Sequence, residues 1–444
     1  MDKTTRPFLE SEQQSTMDSS MTRRTSGTAA RGLRQLLSVA LGAAVLTVAA
    51  GCDSLLEVEL PGTVEAESLD NPALAQTLVN SALGQFECAY TSYVASTSIL
   101  SGEYINASGW LNINSWGWRG LELNSITGGC PTGRDATGLG AYTPLQQARY
   151  VAEESQRLIE GFDEASVPNR NELLGQLTAY GAFSYVLLGE GFCEMAIDQG
   201  PLLQRSDVMQ LAEERFTTAI SYAEAAGDDN LRLMAVAGRA RARLNLGDAS
   251  GAASDAEQVP QGFAWYAEYS TVNGRRENRM YNLNRRNRYV SVNPEDFAGL
   301  MVGDVEDPRV PTMSSGEVGH DGVTEHWYQD KYPTADADIP MASWEEAQLI
   351  LAEARLDQAE DYINGLRAAQ DLPPLELSGG ENMLDVVIEE RRRQLFTEGH
   401  RLNDKLRHDI PFPTGTNHKG QAWGPITCMP LPDQERQNNP NISG

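Results

Sequence analysis

The sequence predicts a mainly α-helical protein in which helical hairpins form a scaffold and long irregular loop insertions interrupt it. Three observations predict this. Apolar residues recur at helical spacing through several long stretches, a short pattern repeats 58 residues apart within them, and the texture turns irregular beyond Val259. Of 444 residues, 41% are hydrophobic and 22% charged, so a large core is within reach. The 35 Lys+Arg against 62 Asp+Glu give a formal charge of −27. So acidic a surface repels phosphate at long range, which argues against a nucleic-acid partner.

The chain opens on an export signal. Arg23, Arg24, Arg31 and Arg34 precede the uncharged run Leu36–Ala50, which ends in small residues before Gly51-Cys52. The run is shorter than the roughly 20 apolar residues that span a bilayer, so residues 1–51 read as a cleaved signal peptide. Residues 1–20 are polar and unlike a basic leader, which makes Met21 an alternative start. Cys52 directly after Ala49-Ala50-Gly51 resembles a bacterial lipobox, in which the thiol becomes the lipid attachment point; Ala49 stands where leucine is commoner. Removing residues 1–51 takes away six basic and four acidic residues, leaving 29 − 58 = −29. The membrane is then held through the lipid anchor alone, at about 0.8 kcal/mol per buried CH₂. Cys88, Cys130, Cys193 and Cys428 remain. Three pairings are open to them, and no two lie close enough for a zinc knuckle, so two disulfides are expected.

Residues 52–72 read as a tether, with Pro61-Gly62 in it. Asn71-Pro72 then caps a helix from Ala73 to about Gly84 and beyond. Ser101–Tyr142, with nine glycines and three tryptophans, reads as an irregular insertion. Helical patterning returns for Leu145–Ile159, Glu172–Gly189, Val208–Ala226 and Leu231–Leu246. Within these, Ala182-x-x-Tyr185-x-x-Leu188-Gly189 is echoed by Ala240-x-x-Arg243-x-x-Leu246-Gly247. The pattern suits a helix packed through its alanine and closed by a C-capping glycine, and it resembles a tetratricopeptide helix pair. The scaffold therefore covers about 73–258. The part from about 259 to 444 is irregular as far as Pro340, then helical at Trp344–Leu356, Asp361–Gln370 and Asn382–Phe396, then a Pro- and Asn-rich tail.

No enzyme motif stands out. The histidines at 320, 326, 400, 408 and 418 fall in no metal spacing, and there is no nucleophile elbow, phosphate loop or dinucleotide fingerprint. Clusters such as Asp304/Glu306/Asp307 and Asp336/Asp338 are those expected by chance in so acidic a chain. A structural Ca²⁺ is the only cofactor they suggest. A binding site asks for less. Trp110, Trp116 and Trp118 lie among amides in SGWLNINSWGWRG, where sugar rings can stack on indoles while Asn112, Asn114 and Arg119 take hydroxyls. Trp265, Tyr266 and Tyr269, and Trp327 with Tyr328, form two further aromatic clusters. For each of these rings, packing a loop onto the helices is the competing role.

The last hundred residues carry a family resemblance. Glu390-Arg391-Arg392-Arg393-Gln394-Leu395-Phe396-Thr397-Glu398-Gly399-His400-Arg401 resembles the helix-ending signature of the SusD/RagB family. Pro430-Leu431-Pro432 with Glu435 and Asn439-Pro440-Asn441 resembles its terminal motif, and Ile339-Pro340 leading to Glu345–Ala354 resembles its preceding helix. Gln394 and Thr397 depart from the usual pattern. Read as residues alone, Glu389 to Arg393 are a charge run that pairs across helices, Gly399 fits a capping turn, and Arg401, Asp404 and Arg407 tie down the segment after that turn. The resemblance covers essentially 52–444. It implies a non-catalytic lipoprotein at the outer membrane that binds a nutrient and passes it to a SusC-like TonB-dependent transporter. A glycan is the leading ligand and an oligopeptide, as in RagB-type members, the rival; a surface hydrolase or a tetratricopeptide-type scaffold are the remaining alternatives.

Overall fold

A computed structural model of the chain describes residues 70–130 and 139–442. The export segment 1–51, the lipid-attachment candidate Cys52 and the tether as far as residue 69 lie outside the described residues. Asn71 Oδ1 accepts from the Ala73 amide at 3.1 Å, with Pro72 at the first helical position, and the chain enters α1, Ala75–Ser101. This helix runs further than its apolar spacing predicts. From Phe86 onward it is buried on all sides, so no amphipathic period marks it. Its small polar residues satisfy themselves on the preceding turn: Ser92, Ser96 and Thr97 donate to the carbonyls of Cys88, Ser92 and Tyr93 at 2.8–2.9 Å.

The insertion after α1 is less irregular than its composition suggests. It forms strand β1, Tyr104–Asn106, and a short helix α2, Leu111–Gly117. The hairpins come next: α3, Tyr142–Gly161; α4, Arg170–Gly191; α5, Arg205–Ala226; α6, Asp229–Leu246; and α7, Ala249–Ala256. Asp228 and Asp248 cap α6 and α7 by accepting from the amides of Leu231 and Gly251 at 3.0 and 2.9 Å. Gly247 closes α6 in the left-handed conformation (φ +80°), as the repeat predicts. Its counterpart Gly189 does not close α4. It lies inside that helix, where a Cβ would come within 2.8 Å of Met209 Cε, so the small residue serves close approach of α5.

The later part has β2, Ala264–Ala267; β3, Val290–Val292; β4, Thr312–Val318; β5, Glu325–Gln329; and β6, Ile339–Ser343. All pair antiparallel in two-stranded ladders: β1 with β3 (Tyr104 opposite Val292), β2 with β6, and β4 with β5. Helices α8, Trp344–Ala354; α9, Ala359–Ala368; α10, Met383–Gln394; and α11, Arg401–Arg407 complete the core. Disulfides Cys88–Cys130 and Cys193–Cys428 fasten the insertion to α1 and the C-terminal tail to the end of α4. The three open pairings thus reduce to one. Among the described residues, no helix is long and apolar enough to cross a membrane.

The charge run of α10 is architectural, as its pattern predicts. Arg391 Nη2 reaches Asp404 at 2.9 Å, Arg407 grips Glu353 of α8 with two bonds of 2.8 and 2.9 Å, and Arg309 donates to Glu390 at 2.5 Å. Behind them, buried Arg241 of α6 donates to Glu190 of α4 at 2.8 Å. These residues come from several different helices and an intervening loop, so the ion pairs join the hairpins to the C-terminal helices. Arg401 departs from the expectation that it shares this role: it reaches no carboxylate at ion-pair distance among the described residues and faces a cleft instead.

Candidate cleft and binding site

A cleft of 1310 Å³ lies where the insertion, the turn at Pro294–Phe297, helix α11 and the C-terminal tail converge. The β1–β3 ladder sets one wall and continues into Ala107–Trp110. The turn between β4 and β5 docks against that wall, with the Asp321 amide donating to the Ala107 carbonyl at 2.9 Å. The tail is stapled across from it. His418 Nε2 lies 2.8 Å from the Asn106 carbonyl, and Lys419 Nζ donates to the Ser108 carbonyl at 2.9 Å and reaches Asp321 at 2.6 Å. Burial works to raise the Asp321 pKa, but Lys419 and the Thr324 hydroxyl and amide outweigh it and hold the carboxyl well below its usual range. Burial pushes the His418 pKa down, which favours the neutral ring.

Trp110 stands beside the cleft as the cap of α2. Its carbonyl accepts from the amides of Ile113 and Asn114 at 3.2 and 2.9 Å, its own amide donates to Ser108 Oγ at 3.1 Å, and the indole is 54% exposed. The His320 ring lies 6.1 Å away at 23°, and Tyr289 meets that His320 edge-on at 4.9 Å. The indole is therefore a supported aromatic face open to solvent. Asn114, Asn417 and Gln421 line the cleft with amides, and Tyr104, Phe412 and Trp423 with rings. Such a mixture can hold a molecule that has both apolar faces and hydroxyls, such as a sugar.

The sequence candidates divide sharply. Asn114 lines this cleft; Trp110 and Asn112 do not, although Trp110 directly follows the lining residue Gly109 and both are exposed. Trp116 is only 1% exposed and packs α2 onto the core, while Trp118 is half-buried. Arg119 takes no ligand position. It lies buried behind the wall, its guanidinium 5.2 and 4.9 Å from the ring centres of Phe412 and Trp423, and donates to the Pro413 carbonyl. Trp265 donates its indole N–H to the Tyr180 hydroxyl at 3.1 Å, and Tyr269 is buried with its hydroxyl on the Glu87 carbonyl at 3.0 Å. Tyr266, 45% exposed, borders a separate cleft of 580 Å³ that Lys331 also lines. Trp327 and Tyr328 sit on β5, where Arg285 covers the Tyr328 ring at 4.4 Å. The two later aromatic clusters thus do not join the Trp110 cleft.

The cleft also contains residues that sequence reasoning missed: Arg401, Lys405, Phe412, Lys419 and Trp423. Phe412 and Trp423 had a readable signal, since they are aromatics in a Pro-, Asn- and Gly-rich segment like that of Trp110. Among the described residues no group of three or more His, Cys, Asp or Glu is arranged to hold a metal. Asp307, in one of the acidic clusters, is instead occupied by Arg309 at 2.8 Å and Arg393 at 3.1 Å.

No protein-family model matches the chain, and no curated protein does. Solved structures do. A SusD homolog from Bacteroides thetaiotaomicron is similar at TM-score 0.65 and 14% identity, over 86% of this chain and 98% of that one. A SusD-like carbohydrate binding protein from Bacteroides vulgatus is similar at TM-score 0.60 and 14% identity, over 84% and 97%. Surface glycan-binding protein A from Bacteroides thetaiotaomicron, solved in complex with laminarihexaose, is similar at TM-score 0.59 and 12% identity, over 83% and 98%.

Proposed function

The chain has the SusD-like fold, and from that premise we propose that it is a non-catalytic surface lipoprotein that binds a glycan in the 1310 Å³ cleft and delivers it to a SusC-like TonB-dependent transporter. The observation that carries the ligand class is Trp110: an open indole at the N-terminus of α2, facing the His320 ring and directly following Gly109, which lines a cleft supplied with amide side chains. Large rigid aromatic faces stack on the C–H faces of sugars, and amides and carbonyls take the hydroxyls. The glycan-binding character of similar folds supports the same class. Binding and hand-over require no cofactor, and the lipid on Cys52 supplies the outer-membrane attachment.

Two measurements test this. Calorimetric titration of the purified chain with a panel of oligosaccharides and oligopeptides is expected to show saturable binding to at least one glycan, weakened about tenfold or more by Trp110→Ala. Saturable binding to peptides alone, or cleavage of a panel member, would overturn the reading. In the native cell, Cys52→Ser is expected to release the protein from the membrane fraction, and the wild type is expected to copurify with a TonB-dependent barrel. An unlipidated wild type, or a barrel-free complex, would remove the transport half.

A further inference from the structure

Two cations that line the cleft, Arg401 and Lys405, reach no carboxylate at ion-pair distance among the described residues, although Glu295, Asp296, Asp321 and Glu325 line it too. Most described arginines sit at ion-pair distance from a carboxylate, as Arg241, Arg309, Arg391 and Arg407 do. Arg401, Lys405 and Arg119 do not, although the sequence has 62 acidic residues to 35 basic. Arg401 and Lys405 are one turn apart on α11 and both line the cleft, a like-charge spacing that opposes helix stability. Lys405 and Arg119 share one ring: the Lys405 ammonium is 4.7 Å and the Arg119 guanidinium 5.2 Å from the centre of Phe412. Lys405 is only 7% exposed and spends one N–H on the Pro411 carbonyl at 2.9 Å. Arg401 Nη1 is buried with no hydrogen-bond partner among the described residues.

Two of the carboxylates nearest Arg401 are engaged elsewhere, and the third lies beyond ion-pair distance. Asp404 is held by Arg391 and Glu389 by Arg392 and Arg393, while Glu103 accepts from the Thr397 amide at 3.1 Å and keeps its Oε2 without a hydrogen-bond partner among the described residues. Asp296, which faces Lys405, accepts from Asn293 at 2.9 Å. Burial and the neighbouring Arg401 and Arg119 charges push the Lys405 pKa down to about 8, even with Asp296 pulling it up. Clustered, partly desolvated cations with donors to spare are unfavourable unless an anion completes them.

We propose that the inner end of the cleft takes the carboxylate of a uronate unit, with Arg401 and Lys405 as its partners, so that the ligand is an acidic glycan. Arg401 offers its unused guanidinium edge and Lys405 two further N–H groups. Asn114 and Gln421, whose side-chain oxygens accept from Asn106 and Asn417, keep their amide nitrogens for the neutral part of the chain, and the exposed Trp110 indole lies next along the sequence from the lining residue Gly109, which favours a sugar over an acidic peptide. This rests on the glycan-binding reading and specifies it.

The test is a titration of the intact chain with oligogalacturonate, oligomannuronate and glucuronoxylan oligosaccharides, each beside its carboxyl-reduced neutral counterpart, and with hexaglutamate. At least one uronate oligomer is expected to bind about tenfold or more tighter than its reduced form, and Arg401→Gln to erase that difference. An unchanged urea midpoint would show the Arg401→Gln variant folded. Lys405→Met is expected to act in the same direction. Equal or tighter binding of a reduced form would overturn the acidic-glycan inference while leaving glycan binding intact. Hexaglutamate binding more tightly than every uronate would overturn it in favour of a peptide. Failure of all glycans, charged and neutral, would overturn both this inference and the reading beneath it.

Discussion

Arg391 and Arg401 stand on consecutive helices of the same signature segment and are used in opposite ways. Arg391 is enclosed by Asp404 and, at longer range, Glu353, so its charge is cancelled inside the core and fastens α10 to α11 and α8. Arg401 faces the cleft and has no such partner among the described residues. The same division separates Trp116, which is core, from Trp110, which is open. In both pairs the residue type is identical, and its surroundings decide whether it holds the fold or is available to a ligand. Neutralised charge and buried rings define the scaffold; unpaired charge and an open ring mark the proposed site.

The comparison breaks most visibly at the paired members. Arg391→Met leaves Asp404 and Glu353 partly uncompensated in the core and is expected to lower urea-derived stability by about 3–5 kcal/mol, whereas Arg401→Gln changes it by less than about 0.5 kcal/mol. Equal losses would erase the distinction. Trp116→Ala removes a fully buried ring and is expected to cost about 3–5 kcal/mol, while Trp110→Ala leaves the midpoint nearly unchanged and acts on ligand affinity. The two disulfides extend the contrast. Cys193–Cys428 spans 235 residues and ties the tail that walls the cleft; Cys88–Cys130 spans 42. Replacing either pair with alanines should cost about 2–5 kcal/mol, with the longer loop at the upper end. Thermal unfolding of the two double variants orders them, and a reversed order would contradict the loop-closure account.

A further contrast concerns pH. Burial raises the pKa of Glu103 to about 7, against which Ser98 and the Thr397 amide pull it down. The folded state then holds this proton more tightly than the unfolded chain, so stability is lost as pH rises from the ordinary carboxyl value of 4.5 to about 7, and stays lost above it. Glu103→Gln, which mimics the protonated acid, should therefore nearly match the wild type at pH 4.5 and exceed it by about 3 kcal/mol at about pH 8. A variant equally stabilised at both pH values would exclude titration of Glu103 as the cause.

The scaffold was readable because apolar residues recur at helical spacing through it and the repeat marks Gly247, which does close α6. The far half of α1 was not, because burial on every side removes the period that a sequence displays. Gly189 misled because a glycine placed for close helix packing looks like a glycine that ends a helix. Around the cleft, composition singled out Asn114, which lines it, and the exposed Trp110, since aromatics set among amides stand out in a chain. It could not separate Trp110 from Trp116, because exposure depends on how α2 lies against the core. Nor could it find Arg401 and Lys405. A cation becomes conspicuous only once the carboxylates around it are seen to be engaged, and that is a tertiary fact.

The most direct test of the account is a crystal structure of the protein with a bound oligosaccharide selected by titration. The account predicts sugar density in the 1310 Å³ cleft, with one ring against the Trp110 indole and hydroxyls on Asn114, Asn417 or Gln421. A sugar bound at the Tyr266 cleft, or anywhere that leaves Trp110 untouched, would contradict it.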